Sequence, residues 1–274
     1  MSNFRPDGQR SSSTLNSNAK KIKKNSLKEK AERFRVLIIG GANAGKTTIL
    51  KKICNTTDQP EIYNSYGSRI DGSTLEPNIT RGEHDIKNEM IFRSNSTLVF
   101  HDSQGFEAGG TDEFRKVKDF VTDCAKSKRM KNQVHVIWYC VAMDDDRPIT
   151  YAEEQFFSVS GTGKVPVVVV FTKCEALEIK VIGALEDAGH DFDEAVQNAP
   201  KHVEEYQKNI QHRFETMAYP PKGYVFLQEM EKPKMNCEAL VRCTADVLDS
   251  SILQGLFIST QQNNLELALE HSLR

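Results

Sequence analysis

The eight residues Gly40-Gly41-Ala42-Asn43-Ala44-Gly45-Lys46-Thr47 hold the clearest chemical potential in this chain. They fit the pattern GxxxxGK(S/T), whose glycines let the backbone curl until successive N–H groups point inward at phosphate oxygens. At this spacing Lys46 reaches toward the β- and γ-phosphates of a nucleotide, and the Thr47 hydroxyl is a ligand for Mg²⁺. The pattern has weight only between a buried strand and a helix, and the flanking residues supply both. Phe34-Arg35-Val36-Leu37-Ile38-Ile39 precedes it as an apolar run. Thr48-Ile49-Leu50-Lys51-Lys52-Ile53 follows as the first turns of a helix whose N-terminal dipole favours an anion. Asn43, Ala44, Gly45, Lys46, Thr47 and Thr48 are therefore the expected phosphate cradle.

Three later segments bear on which nucleotide is held. Val99-Phe100-His101-Asp102-Ser103-Gln104-Gly105 ends an expected strand. There Asp102 is suited to hold Mg²⁺ through water, and the Gly105 N–H to sense a γ-phosphate. Phe171-Thr172-Lys173-Cys174-Glu175 lies at the tip of a valine-rich strand. A carboxylate such as Glu175 accepts hydrogen bonds from N1–H and the 2-amino group of guanine, which adenine does not offer. The Lys173 stem would lie over the base and Thr172 would tie the loop together. Asn78-Ile79-Thr80-Arg81-Gly82-Glu83 offers Thr80 as a loop residue that orders on the γ-phosphate and Mg²⁺ and is released after hydrolysis, with Thr74 a competing candidate.

The ordered set GxxxxGKT, Thr80, Asp102 to Gly105 and Thr172 to Glu175 resembles the G domain of P-loop GTPases of the translation-factor-related (TRAFAC) class. It is most similar to the TrmE–Era-like and septin-like branches. The stretch from Arg81-Gly82-Glu83 to Phe106-Glu107-Ala108-Gly109-Gly110, with Ile137-Trp138-Tyr139 and Leu256 to Gln261, is similar to G-domain proteins of mushroom-forming fungi. The resemblance extends over roughly residues 34–273 and implies Mg²⁺-dependent binding of GTP and GDP with slow hydrolysis, as in a molecular switch. In Ras-like relatives a glutamine after the DxxG glycine orients the attacking water. Phe106 holds that place here, and Gln104 is the nearby amide. The resemblance also matches Asn43 to an asparagine that helps bind a monovalent cation such as K⁺ beside the phosphates. The fifth guanine-loop signature has no clear match, although Gln228-Glu229 fits by position. His101 and Arg81 fall near the expected phosphates and either could assist.

These residues need a scaffold, and the chain alternates strand-like and helical segments from Phe34 onward. The expected fold is α/β: a P-loop G-domain with a six-stranded, mostly parallel sheet, one antiparallel edge strand, helices on both faces and extra C-terminal helices. Asp85 to Phe92 and Thr97 to Phe100 read as a hairpin, Val134 to Val141 and Val167 to Phe171 as buried strands, and Tyr224 to Leu227 as the last. The expected division is a basic tail over residues 1–31 and a GTP-binding domain over 32–274.

Charge is unevenly spread: residues 1–35 carry +7 and the remainder −9, for a total of −2. That argues against a general nucleic-acid surface on the main domain. Lys20-Lys21-Ile22-Lys23-Lys24 fits an anionic lipid contact, a weak nuclear address or a solvated tail. Six scattered cysteines without a CxxC pair suit a reduced, cytoplasmic protein, and no apolar run is long enough to span a bilayer. Two further readings remain: a septin-like or membrane-associated assembly protein in which nucleotide stabilises a homodimer, and an ATPase or nucleotide kinase. In the latter Thr172 to Glu175 would have no role.

Overall fold

Along the central strands successive residues are buried on opposite sides, so each strand must be covered twice. In β1 (Phe34–Gly40), Val36 and Ile38 join one core while Leu37 and Ile39 join the other. β6 (Val136–Ala142) divides in the same way, with Trp138 and Cys140 on one side and Ile137, Tyr139 and Val141 on the other. β7 (Val167–Thr172) is buried throughout. β-Branched side chains stiff at χ1 suit a strand with two covered faces. The computed structural model describes residues 33–70, 85–103, 111–146, 148–159 and 162–261. The tail expected over residues 1–31 lies outside them.

The helices complete the two layers. On one face lie α1 (Lys46–Ile53), α6 (Glu238–Val247) and α7 (Ser251–Thr260), packing Ile49, Leu50, Leu240, Val241 and Phe257 onto the sheet. The other face carries α2 (Thr111–Lys126), α3 (Tyr151–Ser158), α4 (Glu175–Asp187) and α5 (Phe192–Glu215), with Val117, Phe120, Phe156, Phe157, Leu177 and Phe214 inward. Each apolar side chain so buried contributes about 1.5–3 kcal/mol. Two buried polar ties fix the first layer: Trp138 Nε1 donates to Thr244 Oγ1 (3.0 Å), and Asn95 Nδ2 to the Thr260 carbonyl (2.8 Å). A buried donor costs free energy unless it is met, so these bonds also select how α6 and α7 dock.

The strand order is β3-β2-β4-β5-β1-β6-β7-β8, where β2 is Glu61–Tyr63, β3 Arg69–Ile70, β4 Glu89–Phe92, β5 Asn95–Asp102 and β8 Gly223–Phe226. From β5 to β8 all pairings are parallel, and the expected α/β architecture, a mostly parallel sheet with helices on both faces, is what the chain adopts. The strand count differs from expectation: among the described residues the sheet has eight strands rather than six, and its antiparallel part is a three-stranded wing rather than one edge strand. Strands β2 and β3 are two or three residues long and half exposed, so they leave no hydrophobic period to read. β2 is held by pairing on β4 and β3 by pairing on β2, with the ion pairs of Glu61 to Arg93 (2.7 Å) and Arg69 (3.3 Å) added. The hairpin expected around Arg93 to Ser96 turns on Arg93-Ser94 alone, Asn95 already pairing with Phe92.

His101 and His135 sit in a polar network around Arg35 beneath this sheet. The guanidinium can only donate, so Arg35 Nη1 gives a hydrogen bond to His101 Nε2 (3.0 Å), and His101 Nδ1–H must donate to the Ile86 carbonyl (3.0 Å). The Arg35 main-chain N–H likewise donates to His135 Nδ1 (3.0 Å), which assigns Nε2–H to the Met130 carbonyl (3.0 Å). Burial, and then the charge of Arg35, brings both rings down to about 4. The unfolded chain therefore binds more protons than the native one between about pH 4 and 6.5, and stability falls as pH drops through that window. The expected loss from pH 7 to pH 5 is about 2 kcal/mol per ring. Urea midpoints measured across that range check it, and a flat profile would contradict neutral buried rings.

Candidate nucleotide site

Ligands of open parallel sheets bind beyond the carboxyl ends of the strands, where neighbouring connections diverge. At that edge here the ends of β1, β5, β6, β7 and β8 lie side by side. The loop between β1 and α1 is shaped by its backbone. Gly40 has φ 149°, and a Cβ there would stand 2.5 Å from the Cys140 carbonyl oxygen, so only glycine lets β1 end against β6. Asn43 (φ 59°) and Gly45 (φ 75°) are both left-handed and curl the loop over the start of α1. Gly45 is the N-cap of α1 and supplies no side-chain cap. The first-turn N–H groups of Lys46, Thr47 and Thr48 have no acceptor within the helix, as at any helix start. An uncapped N-terminus with a curled loop ahead of it fits a phosphate group.

Lys46 Nζ bonds the Gly40 and Gly41 carbonyls of its own loop (2.8 and 2.9 Å). Its ammonium thus lies across the mouth of the cradle. Asp102 closes β5 in register with Ile38 of β1, and the Ser103 N–H donates to the Ile38 carbonyl (3.1 Å). The charges of Lys46 and Asp102 both reach the Cys140 thiol, which burial pushes up to about 12. Ser103 Oγ is buried without a hydrogen-bond partner among the described residues. Thr80, Gln104 and Gly105 lie outside the described residues, as do Thr74, Arg81 and Phe106.

The segment at the end of β7 joins the loop between β1 and α1 directly. The Thr172 hydroxyl donates to the Ala44 carbonyl (3.1 Å), across a sequence separation of 128 residues, and lies 3.5 Å from the Val141 carbonyl. Lys173 follows in the left-handed region (φ 56°) and pairs with Asp144 (2.7 Å), on the connection after β6. Both partners are partly exposed, so the pair orients Lys173 more than it stabilises the fold. Lys180 of α4 binds the same connection through the Asp144 and Asp145 carbonyls (3.1 and 2.7 Å). Glu175 opens α4, and its Oε2 accepts the Glu229 N–H (2.7 Å).

That last bond brings in a loop which the sequence pattern left undefined. Glu229 is itself left-handed (φ 49°). Of the four non-glycine residues with positive φ among the described residues, three belong to this edge: Asn43, Lys173 and Glu229. Such conformations cost of order 1 kcal/mol or more each and persist where surrounding contacts impose them, commonly at binding sites. His101, by contrast, is not aimed at this edge. Its ring faces Phe120 of α2 (centroids 4.9 Å), and both nitrogens are engaged as described above. Asp144 and Lys180 belong to the neighbourhood and escaped sequence reading, whereas Glu229 stood out there only by its place after the last strand. Only position just after β6 could have drawn attention to Asp144.

A family model described as "50S ribosome-binding GTPase" matches residues 35–173, about half of the chain. The match runs from β1 to Lys173 and so takes in the phosphate loop, Asp102 and Thr172. Glu175 and the β8 loop fall beyond it. A search of curated proteins finds no match. Among solved structures, a GDP-bound point mutant of the FeoB G domain from S. thermophilus is similar at 18% identity, over 53% of this chain and 45% of that one, with a TM-score of 0.33. The chain thus spans less than half of that protein's length, and so loose a likeness says nothing about the site.

Proposed function

Since this chain belongs to the GTPase family described as 50S ribosome-binding GTPases, we propose that it binds GTP and GDP at the edge built above and hydrolyses GTP slowly as a switch. One observation carries the base preference. The Thr172 hydroxyl on the Ala44 carbonyl and the Glu229 N–H on Glu175 link phosphate loop, base-reading segment and β8 loop into one mouth. The N–H groups of residues 43–48 hold the phosphates, and Lys46 leaves its own carbonyls to meet the β- and γ-oxygens. Glu175 accepts from the guanine edge, and Lys173, anchored by Asp144, covers the base.

Mg²⁺ would be held by Thr47, by Asp102 through water and by Thr80; when bound it supplies charge neutralisation between the phosphates. Gln104 is our candidate for orienting water, and Gly105 for sensing the γ-phosphate. The family description carries no rate; slowness follows from Phe106 standing where Ras-like enzymes place a glutamine. Asn43, in the left-handed bend of the loop, would add K⁺ as a second neutralising charge. A cytoplasmic setting agrees with six free cysteines, four of which burial pushes up to about 12 and so keeps unreactive.

Turnover measured with GTP and ATP, each in K⁺ and in Na⁺, tests this reading. The expected result is release of phosphate from GTP alone, about tenfold faster in K⁺, with the K⁺ advantage lost in Asn43→Ala. Equal rates in both salts, unchanged by Asn43→Ala, would remove the monovalent cation. Equal use of ATP would remove the guanine preference.

A further inference from the structure

Beyond Leu227, which still pairs with Phe171 and Cys174, the segment after β8 is fastened at two further points. At its start the Glu229 N–H meets Glu175. Farther along, Lys52 Nζ donates to the main-chain carbonyls of Lys232 (2.6 Å) and Met235 (3.0 Å) and lies 3.5 Å from that of Pro233. Lys52 is in the last turn of α1, the helix whose first turn forms the phosphate cradle. An ammonium has three donors and no acceptor, so three converging carbonyls satisfy it fully. Between the two fastenings run two tight turns, closed by Lys232 N–H on the Glu229 carbonyl (2.9 Å) and Met235 N–H on the Lys232 carbonyl (3.1 Å). They share Lys232, whose carbonyl also receives Lys52. A continuous chain of bonds therefore leads from Lys52 through Lys232 to Glu229, and from Glu229 to the carboxylate of Glu175.

We propose that Lys52 is a positioning residue for base recognition. By pinning the carbonyls of residues 232–235 against the end of α1, it sets the turn that carries Glu229. Glu229 in turn sets the angle of the Glu175 carboxylate, taking one lone pair of Oε2 and presenting the rest to the ligand. Glu229 must adopt a left-handed backbone to do this, a conformation a glutamate holds only when its neighbours impose it. The tether at Lys232 and Met235 is such a constraint. The helix that grips phosphate at one end thereby steadies, from its other end, the loop that supports the base reader. This inference rests on Glu175 reading guanine, as proposed above.

The test uses the full chain and its Lys52→Met, Lys52→Arg and Glu175→Ala variants, with Kd measured for GDP and for IDP, which lacks only the 2-amino group. Lys52→Met is expected to weaken GDP about tenfold and IDP about threefold, so the preference for GDP shrinks. Lys52→Arg, which can still donate to the carbonyls, is expected to restore that preference to within about twofold of wild type. Equal weakening of both nucleotides, no weakening, or failure of arginine to restore the preference would each overturn the role of Lys52. If wild type and Glu175→Ala both bind GDP and IDP alike, base reading by Glu175 is wrong and the Lys52 inference falls with it. That result is distinct from a wild type that prefers GDP and a Lys52→Met that keeps the preference.

Discussion

Replacing Lys46 with alanine should cut GTP turnover about 100- to 1,000-fold, the loss typical when one preorganised charge-stabilising donor is removed from developing oxyanion charge. The ammonium sits 2.8 and 2.9 Å from the Gly40 and Gly41 carbonyls, across the loop whose N–H groups are proposed to hold the phosphates. No other ammonium or guanidinium among the described residues bonds to this loop, so none is placed to substitute. The substitution removes no apolar core residue, and circular dichroism should report a folded protein. Phosphate release under single-turnover conditions measures the effect. A variant that is folded, binds GTP and turns over at the wild-type rate would refute the assignment of Lys46 to the phosphates.

Glu175→Ala should have the second largest effect, and of a different kind. It removes the acceptor proposed for two guanine donors and orphans the Glu229 N–H at the same time. Hydrogen bonds to a charged group contribute about 1.5–3 kcal/mol each, so the affinity for GDP should fall about 100-fold or more. Affinity for ADP, which never used those bonds, should change little. Competition between labelled GDP and unlabelled ADP reads both at once. The expected result is a collapse of selectivity, whereas a variant that keeps wild-type preference would move base recognition to another residue. The two substitutions separate the halves of the site: Lys46→Ala acts on GTP turnover, and Glu175→Ala acts on purine choice.

Much of the architecture was legible because its determinants are local. Two-sided burial of Val36 to Ile39, Ile137 to Val141 and Val167 to Phe171 demands continuous apolar runs, and such runs can be read directly. Strands β2 and β3 were not legible, since Glu61–Tyr63 is held by pairing on β4 and Arg69–Ile70 by pairing on β2, and not by any period of their own. His101 looked available for chemistry because its place beside Asp102 is visible in sequence. Which way its ring turns is decided by Arg35 and Ile86, 66 and 15 residues away.

The same division runs through the site. By itself the sequence singled out the GxxxxGKT loop, the strand-end Asp102 and the Thr172 to Glu175 segment, because each pattern needs particular residue types at short, set spacings along one piece of backbone. Only the tertiary structure decided that the Thr172 hydroxyl closes on Ala44, that Glu229 supports Glu175, and that Lys52 gathers the carbonyls of 232–235. Those bonds use main-chain atoms, which every residue carries, so no side-chain pattern announces them. They exist because parallel pairing from β1 through β8 brings the strand ends together at one edge of the sheet.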